Sequence, residues 1–368
     1  MLDKINALTI TILFGSLIFL AFLLFTNPLK VNKRANRWFG FSILLWSTFW
    51  LDEMAEIVFQ SGIPEPQPIL MSFIQFLAPI FYYFSVWFFI RPTYRFRWSD
   101  LVYLIVPAIY LVILLLEKGQ GNFTAYGKLK LVLIIGQVLF YGVFTVLKIR
   151  SYQQKIEHFT SNTSEISLKW LEYILFLILS LIILVSIYNL VFSMQHTNLF
   201  FNSFMLFIIF GVTYSALRQK EIYPVNAGQE EEIMDIETIT PFNDQRRKVV
   251  SDTELVEFKT ALTLLMKGKM PYKDPEINLI KLAAMLQMTP HQLSYVINTG
   301  FNENFFQFIN RHRVEAARDL IANGNLNNFS LLGIAFESGF NSKTTFNNTF
   351  KKITSQTPTE YRKSCSGL

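Results

Sequence analysis

The chain has 368 residues, enough for two ordinary domains, with 51% hydrophobic and only 16% charged residues, against about 25% charged in an average soluble protein. A single cysteine, Cys365, excludes an intramolecular disulfide and a thiolate zinc site, and the four histidines (His158, His196, His291, His312) are too scattered for a metal cluster. The net charge of +6 suits nucleic acid, anionic lipid or the basic loops of a membrane protein, and decides none of them alone.

The apolar excess lies before Arg218, in seven stretches: Ala7–Phe25, Trp38–Val58, Ile69–Ile90, Leu101–Leu116, Leu131–Leu147, Trp170–Phe192 and Leu199–Leu217. A helix needs ~20 residues to cross the hydrocarbon of a bilayer, so the pattern predicts a seven-helix transmembrane bundle over residues 1–220. Counted over seven crossings, Lys30, Lys33, Arg34, Arg37, Arg91, Arg95, Arg97, Lys148, Arg150, Lys155, Lys169, Arg218 and Lys220 fall on one side, and only Lys4, Lys118, Lys128 and Lys130 on the other. Positive charge stays cytoplasmic, which places the N-terminus outside and the C-terminus inside. The first stretch lacks a basic leader and a small-residue cleavage site and reads as a retained span.

These spans carry no HExxH, no paired intramembrane aspartates and no nucleophile elbow, so no enzyme activity and no cofactor is expected. Asp52, Glu53 and Glu56 stand out near the end of the second stretch, with Asp52 and Glu56 one turn apart. They read either as carboxylates at headgroup level or as an input site for an unknown signal ligand. Gln75, Gln137 and Asn189 suit hydrogen bonds between helices.

Residues 221–251 break the pattern. Pro224, Gly228, the acidic run Glu230–Glu232 and the basic run Arg246–Lys248 predict a cytoplasmic linker, with a short helix around Glu230–Glu237. From 252 to 368 the spacing becomes that of a soluble helical domain. Leu255, Phe258, Leu262 and Leu265 form one stripe; Leu279, Leu282, Ala283 and Leu286 mark a short helix. Thr289, Pro290 and Gln292 are an N-cap, a first helical position and a capping-box partner, and Leu293, Val296 and Ile297 face inward on the helix that follows. Helix, turn and capped helix make a helix-turn-helix. A similar unit recurs about 50 residues later: a short helix with Ile334 and Ala335, a turn at Gly339, an N-cap at Ser342, and a helix burying Phe346 and Phe350. A long amphipathic helix, Phe305–Ala322, joins the two. The fold class is therefore all-α, a membrane bundle followed by two helix-turn-helix units.

The segments LAAMLQMTPHQLSYVIN, FINRHRVEAARDLI, IAFESGFNSKTTFNNTFKK and TPTEYRK occur in order within Leu279–Lys363, and this stretch resembles the DNA-binding domain of the AraC/XylS family of transcription regulators. Gln287 and Ser355 stand where that family commonly has glycine, at a cost of up to ~1 kcal/mol where φ is positive. The resemblance implies base reading from the exposed faces of His291, Ser294 and Tyr295 in the first unit, and of Lys343, Thr344, Asn347 and Asn348 in the second, with Lys351 as a phosphate contact. His291 and Tyr295 read equally as phosphate donors, or as a solvated and a packing residue; Arg313 reads as a phosphate contact or as the partner of a carboxylate. From Ser251 onward thirteen Lys/Arg face ten Asp/Glu, a modest excess that suits two DNA-bound domains per site, as in a homodimer. The expected partners are double-stranded DNA, membrane lipid and a signal ligand, and the resemblance implies the inner membrane of a bacterium. The other reading of the same features is a membrane receptor or transporter whose helical domain binds a protein.

Overall fold

The computed structural model describes residues 2–60, 67–120, 123–163, 166–192, 197–220, 250–322 and 330–365. The described residues form helices joined by short turns, with no strand among them and one isolated bridge between Thr160 and Asn278. Two compact units emerge. The first comprises residues 1–151 and 168–222, and the second comprises 152–167 and 223–368.

In the first unit the helices are α1 (Leu2–Thr26), α2 (Lys33–Ser47), α3 (Leu51–Phe59), α4 (Gln67–Ile90), α5 (Ile105–Gln120), α6 (Phe123–Phe159), α7 (Lys169–Phe192) and α8 (Thr197–Arg218). Among the described residues five segments are long and apolar enough to cross a membrane: Leu2–Thr26, Ile69–Ile90, Trp98–Glu117, Tyr126–Phe159 and Leu199–Arg218. The expected count of seven is thus corrected to five. The second apolar stretch passes through a 3-10 turn at Thr48–Trp50 between a 15-residue α2 and a 9-residue α3, and Arg37 before it and Asp52, Glu53 and Glu56 after it leave too short an apolar run for a crossing. The sixth stretch lies in the 24-residue α7, long enough for a crossing, but its described side chains are interrupted after Leu184, so it is not counted among the five. Without a crossing at the second stretch the Lys30–Arg37 and Arg91–Arg97 loops fall on opposite sides of α4, so the charge segregation counted over seven does not carry over.

Polar side chains within this unit are used as the sequence suggested. Gln75 donates to the Thr48 carbonyl at 3.1 Å and Gln137 to that of Phe76; the Asn189 side chain lies outside the described residues. Trp50 donates to Asn202 at 2.8 Å, and Asn202 to Asn6 at 3.1 Å, fastening α8 to α1 through side-chain amides that would otherwise be costly among apolar neighbours. Gly40 lets α2 approach α1 closely, since a Cβ there would lie 3.1 Å from the Phe25 ring.

In the second unit the last turns of α6 join seven helices: α9 (Asp252–Gly268), α10 (Leu279–Met285), α11 (Pro290–Phe301), α12 (Phe305–Ala322), α13 (Leu331–Glu337), α14 (Lys343–Thr354) and α15 (Pro358–Cys365). The linker predicted over 221–251, with its helix at Glu230–Glu237, lies outside the described residues apart from Val250 and Ser251. Caps set the helix starts. Ser251, Asn278, Thr289, Ser330 and Ser342 each accept from a backbone amide of the first turn, and Ser251–Glu254 and Thr289–Gln292 complete reciprocal capping boxes. Two cores form on either side of α12. One gathers Leu262, Ile277, Leu282, Leu293, Val296 and Phe308; the other gathers Val314, Ala317, Ile334, Phe340, Phe346 and Phe350.

Candidate nucleic-acid interface

Each helix-turn-helix begins with a seven-residue helix closed by the same backbone device. After α10, the amide of Gln287 donates to Ala284 and that of Met288 to Ala283; after α13, Gly339 donates to Phe336 and Phe340 to Ala335. These paired bonds satisfy the final carbonyls through a left-handed residue. That residue is Gly339 at φ 91° in the second unit and Gln287 at φ 56° in the first, so the glutamine does occupy a conformation that favours glycine. Ser355 also has positive φ, 62°, at the end of α14.

The turns present α11 and α14. On α14, Lys343, Thr344, Asn348 and Lys351 are exposed and Asn347 is half-buried, while Phe346, Thr349 and Phe350 turn inward. On α11, His291 and Tyr295 are half-buried, but Ser294 is only 4% exposed and its hydroxyl accepts from Asn298 Nδ2 at 3.4 Å. Ser294 therefore does not share the presented face expected of it. The boundary of that face falls between 294 and 295 because α11 packs on both α9 and α10. Asn298 and Thr299, one turn beyond Tyr295, extend the face instead and were missed in the sequence, as was the exposed Lys352 at the end of α14. The two faces differ chemically. The α14 face carries three lysines, whereas α11 contains no Lys or Arg.

The linking helix α12 is 18 residues long, about 27 Å. Arg313 in its middle makes neither of the contacts anticipated for it. It is 1% exposed, and its guanidinium donates to the carbonyls of Tyr272 (2.7 Å) and Asp274 (2.8 Å) and to Asn310 Oδ1 (3.3 Å). It also lies 5.7 Å from the Phe340 ring centre. Burial lowers its pKa to about 10, with the Asp274 charge opposing, so it stays cationic at neutral pH. One side chain thus ties the loop before α10 to the turn of the second unit. Arg311 is held by Glu303 at 2.9 and 3.0 Å and by Glu315 at 3.2 Å, which keeps this cation engaged on its own domain.

In the first unit, Asp52 and Glu56 are exposed on α3, and Glu53 is half-buried with Oε2 lacking a hydrogen-bond partner. A cavity of about 380 Å³ opens between α2, α4, α6 and α7, lined by Trp46, Gln75, Phe76, Tyr82, Gln137 and Tyr141 among others; none of the three carboxylates lines it.

Residues 282–364 match a helix-turn-helix domain family of the AraC type. This supports a double-stranded-DNA-binding domain of a transcription regulator in the C-terminal third of the chain. Neither curated proteins nor solved structures give a match.

Proposed function

We propose that the chain is a membrane-anchored, sequence-specific transcription regulator of a bacterial inner membrane, which couples a membrane or extracellular signal to promoter binding. The observation that carries this reading is the presence, in one chain, of the helix-turn-helix domain at 282–364 and of five helices of membrane-crossing length. In this reading the DNA-binding domain lies in the cytoplasm, where the chromosome is. The α14 face makes the specific contacts: Lys343 to guanine, Asn347 and Asn348 to adenine, Thr344 to a thymine methyl, with Lys351 on phosphate. His291 and Tyr295 on α11 position the backbone, and Ser294 takes no part. The scarcity of cations on α11 favours two chains per operator, since phosphate neutralisation dominates affinity. Asp52, Glu53 and Glu56 form the input site, for a cation or a cationic small molecule.

The test is duplex DNA retention by the full chain in nanodiscs across a salt series. The expected result is a steep fall in affinity with salt together with discrimination among sequences. Absence of retention at low salt would instead favour a membrane receptor or transporter whose helical domain binds a protein.

A further inference from the structure

The second unit contains a piece that does not come from the C-terminal part of the chain. Residues 152–167, the end of α6 and the turn after it, cluster with the helix-turn-helix domain. Phe159, 7% exposed, belongs to the same core as Leu262, Ile277, Leu279, Phe305 and Ile309. Thr160 pairs with Asn278 in an antiparallel bridge, and Asn278 is the N-cap of α10, the first helix of the first unit. Ser161 is fully buried: its hydroxyl donates to the Ile277 carbonyl at 3.2 Å, and its own carbonyl accepts from Asn310 Nδ2 at 3.1 Å.

Asn310 makes this more than incidental packing. It is fully buried on α12, and its side-chain amide is satisfied on one side by Ser161 and on the other by Arg313. A buried amide without partners is strongly disfavoured, so an asparagine here makes physical sense when a segment 149 residues earlier supplies the acceptor. Through Arg313 the same chain of bonds reaches the Tyr272–Asp274 loop and the Phe340 turn of the second unit. At its other end lies α6, 37 residues in one helix. Its length, about 55 Å, exceeds the ~30 Å a crossing needs, and Lys148, Arg150 and Lys155 mark the part beyond the apolar run.

We propose that Phe159–Asn162 is an intramolecular docking segment, through which the membrane helix α6 engages the first helix-turn-helix unit and couples the state of the membrane part to DNA binding. The proposal rests on the DNA-binding reading for its coupling and not for the dock itself. A shift or rotation of α6 is carried along the chain to Thr160 and Ser161 and from them through the bridge and hydrogen bond to Asn278 and Asn310, independent of the linker before Val250.

The experiment uses the full chain in nanodiscs of phosphatidylethanolamine and phosphatidylglycerol, with Cys365→Ser removing the one native thiol. Bridged antiparallel residues have Cα atoms about 4.5–5.5 Å apart, within disulfide range, so Thr160→Cys with Asn278→Cys should cross-link under mild oxidant, read by gel mobility. No more cross-link than in the two single-cysteine chains would overturn the dock. Because the Asn278 change also removes a cap, hydrogen exchange on the unaltered chain provides a second measurement. Backbone amides at 159–162 should exchange at least roughly tenfold more slowly than in an unstructured peptide, and unprotected exchange would likewise overturn the dock. Coupling is read at equilibrium in a glutathione redox buffer by adding a saturating random-sequence duplex of about 30 base pairs; by reciprocity the ratio of cross-linked to open chain should change by at least about fivefold. An unchanged ratio with DNA bound overturns the coupling. A bridge that closes in a chain retaining no duplex supports the dock and counts against the DNA-binding reading.

Discussion

Replacing Gly339 by alanine tests how the second helix-turn-helix is held to the first. Gly339 sits at φ 91°, which costs an L-residue about 1–2 kcal/mol. A Cβ at this position would lie 2.2 Å from the Tyr272 carbonyl oxygen, 2.8 Å from Lys273 Cα and 3.1 Å from Arg313 Nε. Two of these are backbone atoms that cannot swing aside as a side chain would. The Tyr272 carbonyl accepts the Arg313 Nε–H at 2.7 Å, and displacing it strands a buried cationic donor, a loss of about 1.5–3 kcal/mol. The expected destabilisation is therefore about 3–5 kcal/mol, a large share of the 5–15 kcal/mol typical of a domain. Pulse proteolysis of the full chain in detergent over a urea series, following a C-terminal tag, should show the midpoint falling by roughly 2 M. Gly268→Ala is the matched control: it lies at the end of α9 with nothing within 4 Å of the added methyl, and should raise the midpoint through a gain of about 0.5–1 kcal/mol. Equal midpoints for the two variants would refute the reasoning that the 272–274 loop and the 339 turn are in obligatory contact.

Gln287→Gly should stabilise the domain by up to about 1 kcal/mol in the same assay, because φ there is 56°; a loss of stability would show that the glutamine side chain contributes more than the backbone strain costs. Lys343→Ala and Asn348→Ala should each relax sequence preference by ~1–3 kcal/mol in competition binding, whereas Lys351→Ala should weaken all duplexes alike; uniform weakening by all three would remove α14 from base reading. Burial, with Arg311 beside it, lowers the His312 pKa below its ordinary value, so in acid the unfolded chain binds the proton more tightly; stability should be full above about pH 6.5 and decline below it, less so in His312→Phe, which keeps the stacking on Tyr272. Double replacement of Asp52 by Asn and Glu56 by Gln should abolish the response to the inducing condition while leaving operator binding intact; an unchanged response would make these carboxylates interfacial only.

The C-terminal part was legible wherever local signals agreed. The helix Phe305–Ala322 forms over the residues its apolar spacing predicts, and Thr289 and Ser342 cap α11 and α14 as their sequence context indicates. What escaped depends on neighbours distant in the chain. Ser294 borders the apolar stripe Leu293, Val296 and Ile297, and only the packing of α9 and α10 on α11 decides that it lies inside. Arg313 reads in sequence as a phosphate contact or a carboxylate's partner, yet its partners are carbonyls 41 and 39 residues earlier. The segment Phe159–Asn162 has no periodicity of its own, and its meaning comes from Asn310, 149 residues after Ser161. In the N-terminal part, hydropathy finds apolar stretches but not the break at Thr48–Trp50, where no proline or glycine marks the end of α2.

The most direct test of the central claim is chromatin capture with the tagged, full-length chain taken from the membrane fraction of its native cell. Enrichment of discrete promoter sites is expected, lost when Lys343 and Asn348 are both replaced by alanine while the protein remains in the membrane fraction. Absence of enrichment over an untagged strain, or enrichment that survives the double replacement, would contradict it.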